Sequence, residues 1–219
     1  MKKPQHNSSE SRMDVAKALA KKLVDRFYKD SGDLAARFSV VSFNETARIR
    51  AGWSTSFNDT ARIRADSSTD NGKIDAAIEA ISADGKTSIS AGLNLAGELL
   101  GDARDTATKV VLLLTDGKQT VKSDGTVCSD EEQTVCTDTA IAAAEALRGK
   151  VFSDGTTVED NVFAWGFGEE VGWVDPSGER VGGREALARL AGDDSMVQFT
   201  DNISQLFDFL AELHAKVCN

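Results

Sequence analysis

The chain has 219 residues, of which 41% are hydrophobic and 27% are charged, and its formal net charge is −10 at pH 7. This length and composition suit a globular domain with a full core and argue against wholesale disorder or a fibrous repeat. The acidic balance argues against nucleic acid as a partner, because affinity for phosphate backbones depends on Lys and Arg clusters. No apolar run reaches the length of about eighteen residues that a membrane span needs, so direct membrane insertion is not expected.

The first part of the chain predicts a helix followed by two strands. Apolar side chains recur every four residues from Val15 to Phe27, which predicts an amphipathic helix over residues 12–29. The β-branched and aromatic residues of Phe38–Phe43 predict a strand, and Ala47–Arg50 predicts a more polar one after a turn. Together the two strands are expected to form a hairpin at a sheet edge.

A tandem duplication overlaps this predicted hairpin. Ser42–Thr55 and Ser56–Thr69 are nearly identical, with a period of 14 residues. Because the period is even, the second copy could extend the sheet edge without turning its side chains to the other face, or it could form a loop. Two copies of this length are too few and too short for a repeat array, so we interpret the duplication as local.

Strands and helices alternate through the rest of the chain. The continuous apolar run Val110–Leu114 predicts a buried central strand of a parallel sheet, and Val162–Gly168 predicts another strand. This alternation predicts an α/β fold with a doubly wound, mostly parallel sheet flanked by helices, in which ligands bind beyond the carboxyl ends of the strands. The other predicted elements are helices at 73–81, 89–100, 139–147, 184–190 and 203–217 and a strand at 196–199.

The cysteines and glycosylation motifs bear on the compartment. Cys128 and Cys136 are eight residues apart in a polar stretch, which suits a disulfide across a surface loop at 122–137, and Cys218 stands apart. Three free thiols in a cytosolic protein are the alternative, because spacing alone does not determine pairing. Four Asn-x-Ser/Thr sequons favour a secreted or cell-surface protein, although the chain shows no signal peptide. The sequons begin at Asn7, Asn44, Asn58 and Asn202.

Three polar clusters lie where loops are expected to leave one end of the sheet: Asn7 to Ser11, Thr87, and Asp116 after the apolar strand. Hydroxyl, amide and carboxylate oxygens are ligands for a hard cation such as Mg²⁺, which prefers octahedral oxygen coordination and keeps several waters. The structural alternative is that Ser9, Ser11 and Thr87 cap helices. Asp116 would then only open a turn.

The order and spacing of these clusters resemble von Willebrand factor A (vWA) domains and integrin inserted domains. Their metal-ion-dependent adhesion site (MIDAS) has an Asp-x-Ser-x-Ser loop, a distant Thr and a distant Asp. Ser9 and Ser11 match the serines, Thr87 matches the Thr and Asp116 matches the Asp, and the resemblance covers residues 7–217. It implies a Rossmann-like vWA fold that holds Mg²⁺, or Mn²⁺ or Ca²⁺, and binds a protein ligand through an acidic residue of that ligand.

The chain departs from the family pattern in two places. Asn7 stands where the family has the first Asp, so the site loses one negative charge and is expected to hold its ion less tightly, although an amide oxygen can still ligate. Met1–His6 does not suit the family's buried first central strand, because it contains Pro4 and two lysines, and we assign it to a tail. Either the N-terminus is truncated, or the slot is filled in another way, such as self-association through an edge segment of a second molecule.

We therefore predict one vWA-like domain over residues 7–219, a metal-dependent adhesion module with no catalytic residues. One alternative is a structural vWA scaffold whose metal site has decayed. Another is a metal-assisted hydrolase in which Asp116 and Glu10 activate a metal-bound water. The hydrolase lacks a clear general base, because His6 and His214 are the only histidines and neither belongs to a recognisable catalytic arrangement.

Overall fold

The computed structural model describes residues 11–30, 36–44, 61–82, 85–104, 107–115, 118–129, 131–166, 173–174, 180–181 and 183–199. The helices are α1 Arg12–Asp30, α2 Asn71–Glu79, α3 Ile89–Gly101, α4 Gln133–Arg148 and α5 Gly183–Ala191. The strands are β1 Phe38–Phe43, β2 Ala61–Ser68, β3 Val111–Thr115, β4 Val162–Gly166, β5 Trp173–Val174, β6 Arg180–Val181 and β7 Val197–Phe199. None of the helices in these ranges has the length and apolarity of a membrane span.

A parallel sheet forms the centre of the described fold. Its strands run in the order β3, β4, β7, with Val111 opposite Val162 and Ala164 opposite Val197. All five residues of β4 are buried, as in parallel sheets that are covered by helices on both faces. The predicted α/β fold with a mostly parallel sheet is thereby confirmed. Within the described sheet β4 has a neighbour on each side, and β3, which contains most of the predicted strand Val110–Leu114, pairs with it.

The second copy of the duplication supplies the strand that pairs with β1. β1 and β2 are antiparallel, with Phe43 opposite Ala61. The side chain of Arg64 donates to the Ser42 hydroxyl at 2.8 Å. The predicted hairpin partner, Ala47–Arg50, lies outside the described residues. Residues 61–68 of the second copy therefore form a strand, and they pair with β1, for which Ala47–Arg50 is the predicted hairpin partner.

Helix α1 connects the two apolar clusters of the core. The smaller cluster packs Val24 of α1 against Ile74 and Ile78 of α2, next to β1. The larger cluster surrounds the parallel sheet, and α1 contributes Leu19 to it. Because one helix buries side chains in both clusters, it holds the β1–β2 pair beside the sheet. Other large members of the larger cluster are Leu93, Leu113, Leu147, Phe163, Trp165 and Leu187.

Most helix boundaries agree with the sequence prediction, but α4 begins earlier than expected. The sequence predicts a helix from residue 139, whereas α4 begins at Gln133 and includes Cys136. Before this helix, the backbone N–H of Glu132 donates to the Ser129 hydroxyl at 3.3 Å, and that hydroxyl donates to the Glu132 carboxylate at 3.1 Å. These bonds close a turn directly before α4, so the predicted cysteine loop ends in a helix. The helix predicted at 203–217 lies outside the described residues.

A buried ion pair lies at the amino end of β3. The Lys109 Nζ lies 2.6 Å from the Asp154 carboxylate, and the two side chains are 2% and 6% exposed. The same ammonium donates to the Thr156 hydroxyl at 2.9 Å and lies 5.2 Å from the centre of the Phe152 ring. The hydrogen bond from Lys109, with a further one from Thr156, holds the pKa of Asp154 far below its usual range. Asp154 therefore keeps its negative charge to a lower pH than a free aspartate does.

Replacing Lys109 by Met should lower the melting temperature less than replacing Asp154 by Asn. Asp154→Asn leaves a buried ammonium without its counter-ion, whereas the carboxylate left by Lys109→Met still accepts from the N–H and the hydroxyl of Thr156. The lowered pKa of Asp154 stabilises the fold above the unfolded-state pKa of about 4, and this contribution is lost as the pH falls. Thermal unfolding between about pH 6 and about pH 3 should therefore show a smaller fall in Tm for Lys109→Met than for the wild type. An equal fall in Tm for Lys109→Met and the wild type would contradict this role of the ion pair.

Gly92 in α3 should not tolerate a larger residue. A Cβ at this position would lie 2.7 Å from Cδ1 of Phe43, so Gly92→Ala forces the ring of β1 away from the helix. We expect a net loss of about 1–2 kcal/mol in the free energy of unfolding, even though Ala favours a helix. Gly101→Ala is the control, because its Cβ would meet only Lys150 Nζ at 4.0 Å. Urea unfolding of both variants measures the difference, and similar values would mean that the close approach is unimportant.

Candidate functional site

The structure describes two of the five predicted metal ligands, Ser11 and Thr87. Asn7, Ser9 and Asp116 lie outside the described residues, although Asp116 directly follows Thr115, the last residue of β3. No hydrogen bond joins Ser11 to Thr87 in the described part of the chain. Within the same ranges, no three His, Cys, Asp or Glu side chains form a group that could hold a metal ion. The predicted ligand set as a whole therefore stays a prediction.

Ser11 caps the first helix. Its hydroxyl donates to the Asp14 carboxylate at 2.7 Å and accepts from the backbone N–H of Asp14 at 3.2 Å. The backbone N–H of Ser11 donates to the same carboxylate at 2.9 Å, which completes a capping box. The hydrogen bonds from the Ser11 side chain and backbone lower the pKa of Asp14. A hydroxyl oxygen has two lone pairs, and one of them remains available, so capping and ligation are chemically compatible.

Thr87 is held by its backbone against the segment that follows Asp116. Its N–H donates to the Thr120 hydroxyl at 2.8 Å. Its carbonyl accepts from the N–H groups of Thr120 at 2.8 Å and Val121 at 3.1 Å. The Thr87 hydroxyl itself has no hydrogen-bond partner among the described residues. These three hydrogen bonds to the Thr87 backbone place the segment before α3 beside residues 120–121, which follow β3.

Gln119 is an organising residue that the sequence analysis does not identify. Its side chain is 2% exposed, and its Oε1 accepts from the backbone N–H of Ser90 at 2.7 Å. Its Nε2 donates to the carbonyl of Cys136 at 2.6 Å and to the hydroxyl of Thr139 at 2.5 Å. The side chain of Gln133 donates to the Gln119 carbonyl at 2.8 Å. A glutamine within a polar stretch carries no signal of burial, so only the three-dimensional structure reveals its role.

The predicted Cys128–Cys136 disulfide is present, with 6.1 Å between the two Cα atoms. It connects a short hairpin, in which Val121 pairs with Val127, to the first turn of α4. The backbone N–H of Cys128 also donates to the Thr120 carbonyl at 2.9 Å. The disulfide therefore lies next to the segment that contacts Thr87. Cys218 lies outside the described residues.

Ser11→Ala should lower the free energy of unfolding by about 1 kcal/mol through loss of the helix cap. Ser11→Asn is the matched control, because Asn is also a good capping residue. Because the pKa of Asp14 is lowered in the folded state, the difference between Ser11→Ala and the wild type should be present above the unfolded-state pKa of about 4 and should shrink as the pH falls. Urea unfolding at several pH values tests this, and a neutral Ser11→Ala would contradict it.

Comparisons with known proteins agree with this architecture. Residues 1–119 match the family model of the von Willebrand factor type A domain. The fold is similar to proximal thread matrix protein 1 from the mussel byssus, with a TM-score of 0.58 and 20% identity over 92% of this chain and 41% of that chain. A structure of that mussel protein with a zinc-occupied MIDAS motif has a TM-score of 0.55 and 21% identity, over 93% of this chain and 40% of that chain.

The von Willebrand factor domain of the type V pili tip protein Mfa5 from Porphyromonas gingivalis has a TM-score of 0.65 and 10% identity, over 94% of this chain and 89% of that chain. At such identities the similarity establishes the fold alone. This chain spans about two fifths of the length of the mussel protein that it matches. No curated protein matches the sequence significantly.

Proposed function

Because the chain belongs to the von Willebrand factor type A domain family, we propose that it is a protein-binding module in which a divalent cation coordinates an acidic residue of a protein ligand. Domains of this family are generally adhesion or scaffold modules rather than enzymes. The observation that carries the proposal is the junction between Thr87 and residues 120–121. It joins the loops of two predicted ligands at the carboxyl end of a parallel strand, where α/β folds bind ligands.

The predicted donors suit a hard divalent cation. Ser9, Ser11 and Thr87 would supply hydroxyl oxygens, Asp116 a carboxylate and Asn7 an amide oxygen, a set that fits Mg²⁺, Mn²⁺ or Ca²⁺. Both described hydroxyls fit this role, because the Thr87 oxygen has no partner in the described ranges and the Ser11 oxygen keeps a free lone pair. The cation would present an open coordination position to the ligand's carboxylate. Zinc deserves a test as well, since it occupies the MIDAS motif of the mussel protein.

The charge of the chain constrains how such a ligand binds. A net charge of −10 repels an acidic partner at a distance, so the attraction must come from short-range coordination at the metal. Asn7 leaves Asp116 as the one carboxylate of the proposed ligand set. Asp14, whose pKa is lowered by Ser11, adds a negative charge next to one ligand. The charge of Asp14 favours a cation, whereas the single carboxylate of the ligand set supports weaker binding than at a site with two carboxylates.

We also place the module outside the cell or on its surface. The disulfide supports an oxidising compartment, because such bonds are rare in cytosolic proteins. Two structural relatives come from a byssus and from a pilus, which supports the same location. Self-association through an open strand slot stays a prediction, since the residues that bear on it lie outside the described ranges.

A scaffold without a working metal site is the second candidate. It is favoured by Asn7 in place of the first acidic ligand and by Ser11, whose hydrogen bonds already give it a structural role. In this case the domain would bind partners through its surface alone. The two candidates differ in one measurable property, the effect of divalent cations on stability.

Mg²⁺ or Mn²⁺ should raise the melting temperature of the wild-type protein relative to EDTA, because an ion that binds only the folded state stabilises it by about 2.7 kcal/mol at 100 times its Kd. Thr87→Val and Asp116→Ala should abolish most of this rise. Thr108→Val is the matched control, because Thr108 is exposed and lies before the amino end of β3, and its response to metal should equal that of the wild type. Thermal unfolding and calorimetry with Mg²⁺, Mn²⁺ and Zn²⁺ measure these effects.

Asn7→Asp separates the two candidates further. It should increase metal affinity, since it restores a carboxylate at the first ligand position. The scaffold would be supported if metal raises the melting temperature of Asn7→Asp but not that of the wild type. The geometry of the site would then be intact, and only the charge would be missing. If neither protein responds to any of the three ions, the metal-dependent module is contradicted and the scaffold is supported.

A further inference from the structure

The buried amide of Gln119 connects the two loops of the candidate metal site to helix α4. Its oxygen accepts from the N–H of Ser90, three residues after Thr87, and its nitrogen donates to the carbonyl of Cys136. Gln119 itself lies three residues after Asp116. Both atoms of the amide are satisfied in a buried environment, so its orientation is well determined. The amide thereby relates the start of α3 to the start of α4.

The disulfide closes a second connection around the same segment. Cys128 donates to the carbonyl of Thr120 at 2.9 Å, and the hydroxyl of Thr120 accepts from the N–H of Thr87 at 2.8 Å. On the other side, the carbonyl of Cys136 accepts from Gln119. Each half-cystine is thus hydrogen-bonded to one of two consecutive residues, 119 and 120. The S–S bond links the two cysteines that make these hydrogen bonds. It therefore limits how far the hairpin of residues 119–128 can move from α4.

We propose that Gln119 and the Cys128–Cys136 disulfide act as one positioning unit for the metal site, so that metal affinity depends on the oxidised state of the disulfide. The inference rests on the proposed function and extends it to regulation by redox state. None of these residues ligates the cation; they hold the Thr87 loop beside the chain that follows Asp116. Groups that orient metal ligands typically change metal affinity by about 10–100-fold when they are removed.

Reduction supplies the physical switch. A dithiol transfers two electrons and two protons to the disulfide, which breaks the S–S bond, forms two thiols and converts the dithiol into its own cyclic disulfide. The carbonyl of Cys136 can still accept from Gln119, but the hairpin is then tied to α4 by hydrogen bonds alone. The Thr87 backbone, which depends on Thr120, gains freedom to move away from the segment that follows Asp116. Binding the ion must then order this loop again, and the conformational entropy lost in doing so lowers the affinity for the ion.

The test measures Mn²⁺ affinity by calorimetry on the full chain carrying Cys218→Ser, which prevents pairing with the third cysteine. The samples are the oxidised protein, the protein reduced with a dithiol and desalted without oxygen, the Cys128→Ser/Cys136→Ser variant, and Gln119→Met. We expect the Kd for Mn²⁺ to rise by about 10-fold or more in the last three samples. Reoxidation of the reduced sample should restore the original Kd.

Two controls separate positioning from general stability. Lys109→Met perturbs the ion pair at the opposite end of β3, so it should lower Tm without changing the Kd for Mn²⁺. Amide hydrogen exchange is read without metal, and the N–H groups of Thr87 and Ser90 should exchange faster once the disulfide is lost, because their acceptors lie on Thr120 and Gln119. Should Gln119→Met fail to fold, the reduced sample and the double-serine variant still decide the question.

An unchanged Kd in the reduced and double-serine proteins overturns the inference while leaving the proposed function intact. A Kd that rises equally in Lys109→Met also overturns it, since stability rather than positioning would then control binding. If the oxidised protein binds no Mn²⁺, the proposed function itself fails and the inference fails with it. A higher Kd together with faster exchange at Thr87 and Ser90, reversed by reoxidation, supports the inference.

Discussion

The complete burial of β4 constrains the arrangement of the described fold. Its five residues have no exposed face, so this strand must be covered by side chains from helices on both sides. A strand of this kind leaves only its ends for polar chemistry, since a polar group placed along it would lose its hydrogen bonds to water. The parallel register with β3 brings Thr115 opposite Gly166 and so aligns the carboxyl ends of the two strands. A ligand site is therefore expected at that end of the sheet.

The two ends of β3 are stabilised by different chemistry. At the amino end, the Lys109–Asp154 pair is a charged contact in a dry environment, and Phe152 packs against its ammonium. At the carboxyl end, neutral hydrogen bonds from Thr120 and Gln119 hold the loops together, reinforced by a disulfide. The amino end thus depends on a charged pair, and the carboxyl end depends on hydrogen bonds between neutral groups.

Within the described ranges, the β1–β2 pair is attached to the domain by close packing and not by hydrogen bonds to the parallel sheet. Gly92 lets α3 approach Phe43 at a distance that no side chain would permit, and Val24 of α1 joins the same region to α2. The partner of β1 comes from the second copy of the tandem duplication, where Arg64 also contacts Ser42. Because the period is even, the second copy presents its side chains to the same face that the first copy would use. An insertion of this length is therefore compatible with the fold.

Local patterns in the sequence determined the fold class and most of the elements, whereas they suggested the disulfide without determining the pairing. Val15 to Phe27 repeats at helical spacing, and Val110–Leu114 is apolar throughout, so the packing of these residues against the core follows from their own pattern. The candidate ligands could be named from a family resemblance, but their mutual arrangement depends on loops brought together by strand pairing. Three features are known only from the tertiary structure: the burial of Gln119, the start of α4 at Gln133, and the pairing of β1 with the second copy. The physical reason is that these outcomes depend on contacts between residues far apart in the chain, and a polar side chain is stable in a core only where such contacts satisfy its hydrogen bonds.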